Sequence, residues 1–153
     1  MQPEQVKKPK LYLAGPMSNY PAFNYPAFFK AAKELRDAGY DIVSPAENDS
    51  PEVLKKILAS PDGKLNLDLP SWGDFLSKDV KLVADIVEGV VTLPGWEKSR
   101  GARLESFVCH LTKKPLYVYV GNGVVRTMEE GEFLRGITGL SATLLGSNYA
   151  SVA

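Results

Sequence analysis

The sequence predicts an α/β protein built on a doubly wound sheet of four to five parallel strands, with helices on both faces. Short apolar runs typical of buried strands alternate with segments of helical spacing along most of the chain. Such alternation implies parallel strands joined by right-handed crossovers. A length of 153 residues with 44% hydrophobic side chains suits one compact domain and leaves too little chain for a second.

The first strand, helix and second strand are predicted within residues 10–43. Lys10–Ala14 reads as a short buried strand that Gly15-Pro16 ends. Apolar side chains then recur at helical spacing from Pro26, which suits a first helical turn, to Gly39, which suits a C-terminal stop. Tyr40–Val43 follows as the second strand. The loop between the first strand and the helix holds Met17, Asn19, Tyr20 and Phe23.

A less regular stretch separates the second strand from the third. Residues 44–70 are rich in Pro, Asp, Ser and Gly and contain one short helical stretch near Val53–Leu58, which predicts an excursion over the surface. Helical spacing returns over Trp72–Ala84 and leads into Ile86–Leu93, the third predicted strand, which Pro94-Gly95 ends. Trp72 itself is interpreted as a packing residue at the helix start.

The last elements follow the same alternation. Ser99 suits the N-cap of a helix that runs to about Thr112, and Pro115–Val120 suits a fourth strand. Glu129–Arg135 predicts a final helix. The domain is therefore expected to span residues 10–136, between a flexible N-terminus (1–9) and a C-terminal tail (137–153). The tail carries no charged residue, so it is either flexible or packed on a neighbouring subunit.

Composition excludes several classes of function. Eighteen basic and eighteen acidic side chains give no net charge, unlike proteins that grip duplex nucleic acid, although a small anionic ligand needs only local positive potential. One cysteine, Cys109, and one histidine, His110, cannot build a disulfide framework or a Cys/His zinc cluster, and both are interpreted as structural. Neither a signal peptide nor a membrane-spanning apolar run is recognisable, so a cytoplasmic protein without a membrane partner is expected.

Functional residues are expected on three loops that open at one rim of the sheet: Gly15–Phe23, Pro94–Gly101 and Gly121–Arg126. In a Rossmann- or flavodoxin-like sheet, ligands bind at the carboxyl ends of the strands. The second loop places small residues before a predicted helix N-terminus, where backbone N–H groups favour a phosphate. Glu105 lies two turns further along that helix. The pattern alone leaves open a plain cap at Ser99 and a solvated Glu105.

Several blocks of the sequence resemble the often phage-encoded branch of the nucleoside 2-deoxyribosyltransferase-like superfamily. The resemblance spans roughly Lys10 to Val120 and is most specific in its last block. The blocks are Leu11-Tyr-Leu-Ala-Gly-Pro-Met17, Tyr25-Pro-Ala-Phe28, Ala38-Gly-Tyr40, Ser44-Pro-Ala-Glu47 and Leu93-Pro-Gly-Trp-Glu-Lys-Ser-Arg-Gly-Ala-Arg-Leu-Glu105.

The resemblance implies a catalytic set. In that superfamily a glutamate in the position of Glu105 attacks the sugar C1′, and an aspartate in the position of Asp79 assists at the leaving base. The tyrosine of the first strand, here Tyr12, lies near the nucleophile. A carboxylate beneath the sugar suits this chemistry because bond cleavage builds positive charge at C1′. The scheme requires neither a cofactor nor a metal, and none is predicted.

Position 99 indicates the substrate within that resemblance. Members that act on free nucleosides have an aspartate there, whereas members that hydrolyse nucleoside 5′-monophosphates have a serine that hydrogen-bonds the phosphate. This chain has Ser99, and an aspartate would repel an anion. Arg100 or Arg103 either adds charge to that site or is simply solvated.

Further candidates complete the predicted pocket. Trp96 is expected to wall a base pocket, although aromatics in such loops also serve as plain packing. Asn122 follows the fourth strand and is expected to reach a site, and a homo-oligomer with active sites shared between subunits is implied by the resemblance. The other substrate-binding candidates, from the first two loops, are Gly15, Pro16, Met17, Asn19 and Gly101.

Three functions remain open at this point. The leading hypothesis is hydrolysis of the N-glycosidic bond of a ribo- or deoxynucleoside 5′-monophosphate. Transfer of deoxyribose between bases is the nearest alternative, and Ser99 argues against it. A nucleotide-sensing module without turnover is the third, because one fold hosts many functions. Residues 44–70 differ most from the superfamily pattern, so the base is not predicted.

Overall fold

The computed structural model describes residues 3–4, 6–66 and 68–138. Among these residues a five-stranded sheet has the strand order β2-β1-β3-β4-β5. The first four strands are parallel, and β5 pairs antiparallel with β4. The strands are β1 (Lys10–Ala14), β2 (Asp41–Val43), β3 (Gly89–Thr92), β4 (Leu116–Gly121) and β5 (Val124–Thr127).

Helices lie in the connections between the parallel strands, and one more helix follows the last strand. They are α1 (Tyr25–Asp37), α2 (Pro51–Leu58), α3 (Trp72–Lys81), α4 (Arg100–Leu111) and α5 (Glu130–Thr138). A π-helical turn, Leu82–Ile86, extends α3 toward β3, so β3 begins later than the predicted start at Ile86. None of the helices in the described part of the chain is long and apolar enough to cross a membrane.

The two faces of the sheet are covered by different helices, as the sequence predicts. Because side chains alternate along a strand, Leu11 and Leu13 pack in one buried cluster with side chains of α1 and α2. Tyr12 and Ala14 enter a second cluster, with side chains of α4 and α5. The alternation thus places the Tyr12 side chain on the α4 side of the sheet.

The prediction of a third rim loop over Gly121–Arg126 is wrong. Gly121, Asn122 and Gly123 all have positive φ angles, of 99°, 53° and 75°, and such backbone reverses the chain tightly. The following Val124 and Val125 then form β5 rather than a loop. The apolar spacing after the turn belongs to an antiparallel edge strand.

The ends of the domain also differ in detail from the prediction. Helix α5 continues to Thr138, so the first residues assigned to the tail are helical. From residue 139 onward the predicted tail lies outside the described residues, as do residues 1, 2 and 5. Within the N-terminal segment predicted to be flexible, Lys8 donates to the Ala38 carbonyl at 2.6 Å and lies 4.5 Å from the centre of the Tyr40 ring.

Candidate active site

A cavity of about 210 Å³ opens at the carboxyl ends of β1, β2 and β3. The loop after β1 forms one wall, α3 and the start of α4 form a second, and residues 45–69 form a third. Nine of the predicted site residues line this cavity: Gly15, Pro16, Met17, Asn19, Asp79, Ser99, Arg100, Gly101 and Glu105. Residues from the first two predicted rim loops thus line one cavity.

Two carboxyl groups and a phenol meet at the inner end of the cavity. Glu105, on the second turn of α4, is 6% exposed, and Tyr12 beneath it is fully buried. Burial raises the pKa of Glu105 well above its usual range, and the nearby charge of Asp79 adds to the shift while the Tyr12 hydroxyl opposes it. The three side chains that the superfamily resemblance grouped as catalytic therefore lie close enough to shift one another's pKa values.

Asp79 reaches this group from α3. Burial raises the pKa of Asp79 to about 7, the charge of Asp49 adds to the shift, and the Tyr12 hydroxyl opposes it. Burial also raises the pKa of Tyr12, and the charges of Glu105 and Asp79 raise it further, so the phenol stays protonated. The two carboxyls therefore lie in surroundings that disfavour a negative charge on either of them.

The same group contains unpartnered polar atoms. Tyr12 Oη and Glu105 Oε2 are buried, and neither has a hydrogen-bond partner within the described residues. The phenol and the carboxyls thus influence one another's pKa without forming a hydrogen bond of ordinary geometry. Buried polar atoms in proteins are almost always paired. Of these two residues, Glu105 lines the cavity and Tyr12 does not, so only the Glu105 carboxyl is exposed to a ligand there.

The N-terminus of α4 forms the opposite, electropositive end of the cavity. Ser99 is the N-cap, as predicted, and its Oγ accepts a hydrogen bond from the Ala102 amide at 3.2 Å. As an acceptor in that bond, the hydroxyl keeps its own proton to donate. The amides of Arg100 and Gly101 belong to the first helical turn, where no intrahelical acceptor exists. Lys98 also lines this end.

Trp72 belongs to the cavity, which corrects its interpretation as a packing residue. It is the first residue of α3, is 41% exposed, and lines the cavity beside Phe75 and Leu76. The Arg100 guanidinium lies 5.3 Å from the centre of the indole ring, a cation–π contact. The side chain is thus an aromatic wall near the electropositive end.

The excursion after β2 supplies six cavity-lining residues that the sequence did not predict for the site. Its short helix α2 anchors it through Ile57, which is 2% exposed. Within the excursion, Asp49 accepts a hydrogen bond from the buried Tyr25 hydroxyl at 2.5 Å. The cavity-lining residues of this segment are Pro45, Asn48, Asp49, Ile57, Leu65 and Leu69.

The loop after β1 is held in an unusual conformation by that excursion. The Asn19 amide donates to the Gly63 carbonyl at 3.0 Å, and the Ala22 amide donates to the Ser60 carbonyl at 2.8 Å. Ala22, Phe23 and Asn24 have φ angles of 51°, 51° and 61°. Three successive left-handed residues other than glycine are costly, by about 1–2 kcal/mol each, and such strain is found mainly at functional sites.

Trp96 and Asn122 do not reach the cavity, contrary to prediction. The Trp96 indole is 5% exposed and lies in the core cluster with Phe133. A Cβ atom added at Gly136 would lie 2.0 Å from that ring, so α5 packs directly on it. Asn122 lines a separate open groove next to Tyr119. The plain packing alternative for Trp96 is therefore the correct one.

Three further side chains near the motif, Arg103, Cys109 and His110, do not line the cavity. The buried Nε of Arg103 has no hydrogen-bond partner among the described residues. The His110 ring lies 4.6 Å from that of Phe133. Cys109 is fully buried, and burial raises the pKa of its thiol to about 11. The packing of His110 and Cys109 agrees with the structural role predicted for them.

The fold and the site define an α/β protein with a buried glutamate and a half-buried aspartate at the carboxyl edge of its sheet. The chain belongs to the family described as Domain of unknown function (DUF4406), whose model matches residues 9–118. The matched segment contains Tyr12, Asp79 and Glu105 and ends within β4, before β5 and α5. Neither a curated protein nor a solved structure matches the chain.

Proposed function

We propose that the protein hydrolyses the N-glycosidic bond of a ribo- or deoxynucleoside 5′-monophosphate, with Glu105 as nucleophile. The observation that carries the proposal is the buried Glu105, whose unpartnered Oε2 lies beside Asp79 and Tyr12 at the inner end of the cavity. A carboxyl group is costly to bury without partners, and a sugar that becomes cationic at C1′ would compensate that cost.

Each bond change in the proposed reaction has a group to serve it. Glu105 Oε forms a bond to C1′ while the bond from C1′ to the base nitrogen breaks, and the electron pair stays on the base. Asp79 gives the leaving base a proton. A water molecule then displaces Glu105 from C1′, and its proton returns to Asp79. The sugar phosphate and the free base are the products.

The raised pKa values of the acid pair, Glu105 and Asp79, suit this division of roles. In the unliganded site, burial disfavours a negative charge on either carboxyl. Positive charge developing at C1′ stabilises a carboxylate at Glu105, while Asp79 keeps a proton for the leaving base. One ionised and one protonated carboxyl are what nucleophilic attack with an assisted leaving group requires.

The electropositive end of the cavity supports a phosphorylated substrate. Ser99 Oγ and the first amides of α4 are hydrogen-bond donors directed at an anion, and the helix dipole has the same sign. Arg100 and Lys98 add positive charge at this end. An aspartate in place of Ser99 would cancel part of that potential, which is why hydrolysis of monophosphates is preferred over deoxyribosyl transfer between free nucleosides.

The proposal includes a place in the nucleoside 2-deoxyribosyltransferase-like superfamily and its doubly wound, Rossmann-like arrangement. Helices on both faces of a parallel sheet, with the cavity at the carboxyl ends of its strands, support both. A cytoplasmic location and a homo-oligomer with shared sites belong to the same proposal. Three partly exposed apolar side chains follow one face of α4 beside the cavity and suit a subunit contact: Leu104, Phe107 and Leu111.

The deciding experiment is release of free base from a panel of ribo- and deoxynucleoside 5′-monophosphates and their free nucleosides, followed by chromatography. Base released from monophosphates by the intact protein, and not by Glu105→Gln, is the expected result. Glu97→Gln, which alters an exposed carboxylate of the same loop outside the cavity, is the matched control. Release only after addition of a second base would indicate a transferase, and binding without release would indicate a sensor.

A further inference from the structure

The geometry points to a selectivity wall, Asp49 with Tyr25, that recognises bases carrying an exocyclic amino group. This inference rests on the proposed function, because the orientation of the substrate follows from it. The phosphate lies at Ser99 and the sugar over Glu105, so the base extends toward Asp79. Asp49 lines the same cavity, and its charge raises the pKa of Asp79, which places Asp49 at the base end.

The hydrogen bond between Tyr25 and Asp49 determines which hydrogen-bonding groups the wall presents to a ligand. Tyr25 is 3% exposed, and its hydroxyl donates to Asp49 Oδ2 at 2.5 Å. Burial and that hydrogen bond raise the pKa of Tyr25, so the phenol keeps its single proton and directs it at Asp49. The remaining lone pairs of both side chains can then only accept hydrogen bonds. A ligand must therefore bring donors.

Nucleobases differ in whether they present a hydrogen-bond donor or an acceptor at one position of the ring. Cytosine carries an amino group at C4 and adenine carries one at C6, whereas uracil and hypoxanthine carry a carbonyl oxygen at the same positions. A carbonyl oxygen against the wall leaves two acceptors facing each other, and both stay unpaired. The wall therefore favours amino-bearing bases by about 10- to 100-fold in kcat/KM.

Two other polar side chains line the cavity near the wall, Asn48 and Lys78. Both side chains are exposed in the described structure, whereas the Asp49 carboxyl is oriented by its hydrogen bond from Tyr25. A mobile exposed side chain contributes less to discrimination than a fixed one, because ordering it costs entropy. The fixed acceptor thus determines the preference.

The test compares substrates that differ in one group. Deoxycytidine and deoxyuridine monophosphates form one pair, and deoxyadenosine and deoxyinosine monophosphates form the other. Intact protein is expected to cleave the amino member of a pair about 10- to 100-fold better. Asp49→Asn, which offers a donor as well as an acceptor, should reduce that ratio below about 3-fold, while Glu52→Gln, an exposed carboxylate of the same excursion, should leave it unchanged. An equal rate for both members, or an unaltered ratio in Asp49→Asn, overturns the wall.

A binding arm separates the wall from the reaction. Glu105→Gln protein, which should not turn over, is titrated calorimetrically with the same pairs, alone and combined with Asp49→Asn. A preference for amino members that Asp49→Asn removes supports the wall even where no cleavage occurs, which would be a failure of the proposed reaction alone. Equal binding of both members, or binding of neither, overturns the wall. Should Asp49→Asn fail to fold, Tyr25→Phe replaces it, because it releases the carboxyl and should weaken the same ratio.

Discussion

Two segments of the chain enclose the cavity, and they differ in how they are held. Helix α4 carries Glu105 on a side that packs into the sheet core, where Ala102 and Cys109 are also buried. The excursion of residues 44–70 is mostly exposed and enters the core through Ala46 and Ile57. A rigid helix suits a nucleophile, which must stay within a few tenths of an ångström of its target. A loosely held loop suits the contacts that select a substrate.

The polar groups on the two segments differ in the same way. On the α4 side, Glu105 Oε2 and Tyr12 Oη are buried and unpartnered among the described residues, which costs stability. On the excursion, Asp49 has its partner in Tyr25 and stays hydrated in part. The comparison predicts that changes at the acid pair remove turnover, whereas changes in the excursion alter which substrate is bound.

The largest effect is expected at Glu105. Glu105→Gln keeps the shape of the side chain but removes the nucleophile, so kcat should fall by about 10³-fold or more. Substrate affinity measured by calorimetry should change by less than about 3-fold. Activity retained within about 10-fold of the intact protein would show that α4 does not carry the chemistry.

Asp79 is expected to matter next. Asp79→Asn cannot give a proton to the leaving base, so kcat should fall by about 10²-fold while KM stays similar. The loss should be smaller for a substrate whose base leaves readily without protonation, such as a nitrophenyl glycoside of the sugar phosphate. An equal loss for both leaving groups would assign Asp79 a positioning role instead.

The acid pair should also set the pH dependence of stability. The folded pKa of Asp79, about 7, lies above its ordinary value near 3.8, so between these values the folded state binds more protons than the unfolded state. The free energy of unfolding should therefore decrease as the pH rises from about 4 to 7, by about 1–2 kcal/mol. Urea unfolding at pH 5 and pH 7.5 measures this, and Asp79→Asn should flatten the difference. A stability that rises over this interval in the intact protein, and equally in the variant, would contradict the burial of the pair.

Local sequence features predicted the position of Ser99 and Glu105 on α4, but they left open whether either residue has a function. A cap residue, a helical spacing and a preceding apolar strand fix where Ser99 and Glu105 lie relative to each other, since all three act within one element and its neighbour. Tyr12 faces α4 because side chains alternate along a strand. The superfamily resemblance named the same residues independently.

Long-range packing explains what the sequence could not predict. Trp96 turns into the core because Gly136, forty residues later, lets α5 approach the indole. Tyr25 begins α1 and Asp49 lies beyond β2, 24 residues later, so no local pattern links them. Trp72 offered one weak signal, an aromatic side chain at a helix start beside small residues. Loops that return to a site leave little trace in a single sequence.

Ser99 allows the electropositive end to be tested. Ser99→Asp keeps a helix cap but places a negative charge beside the proposed phosphate, so the ratio of kcat/KM for a monophosphate over its free nucleoside should fall by about 10- to 30-fold. Ser99→Asn, which also caps helices but adds no charge, is the matched control and should change the ratio by less than about 3-fold. An unaltered ratio in Ser99→Asp would remove the phosphate from this end of the cavity.

The smallest effect is expected where the excursion holds the loop after β1. A Cβ atom at Gly63 would lie 2.1 Å from the Tyr20 carbonyl oxygen, and Gly63 has a φ angle of +66°. Gly63→Ala should therefore push the two segments apart, raising KM by about 3- to 5-fold and lowering the free energy of unfolding by about 1–3 kcal/mol, with kcat nearly unchanged because Glu105 stays in place. Gly73→Ala in α3, where the nearest atom is 3.8 Å from the added Cβ, is the matched control and should alter neither KM nor stability by as much. A fall in kcat with KM unchanged would mean that the excursion takes part in the chemistry, and the division between the two segments would fail.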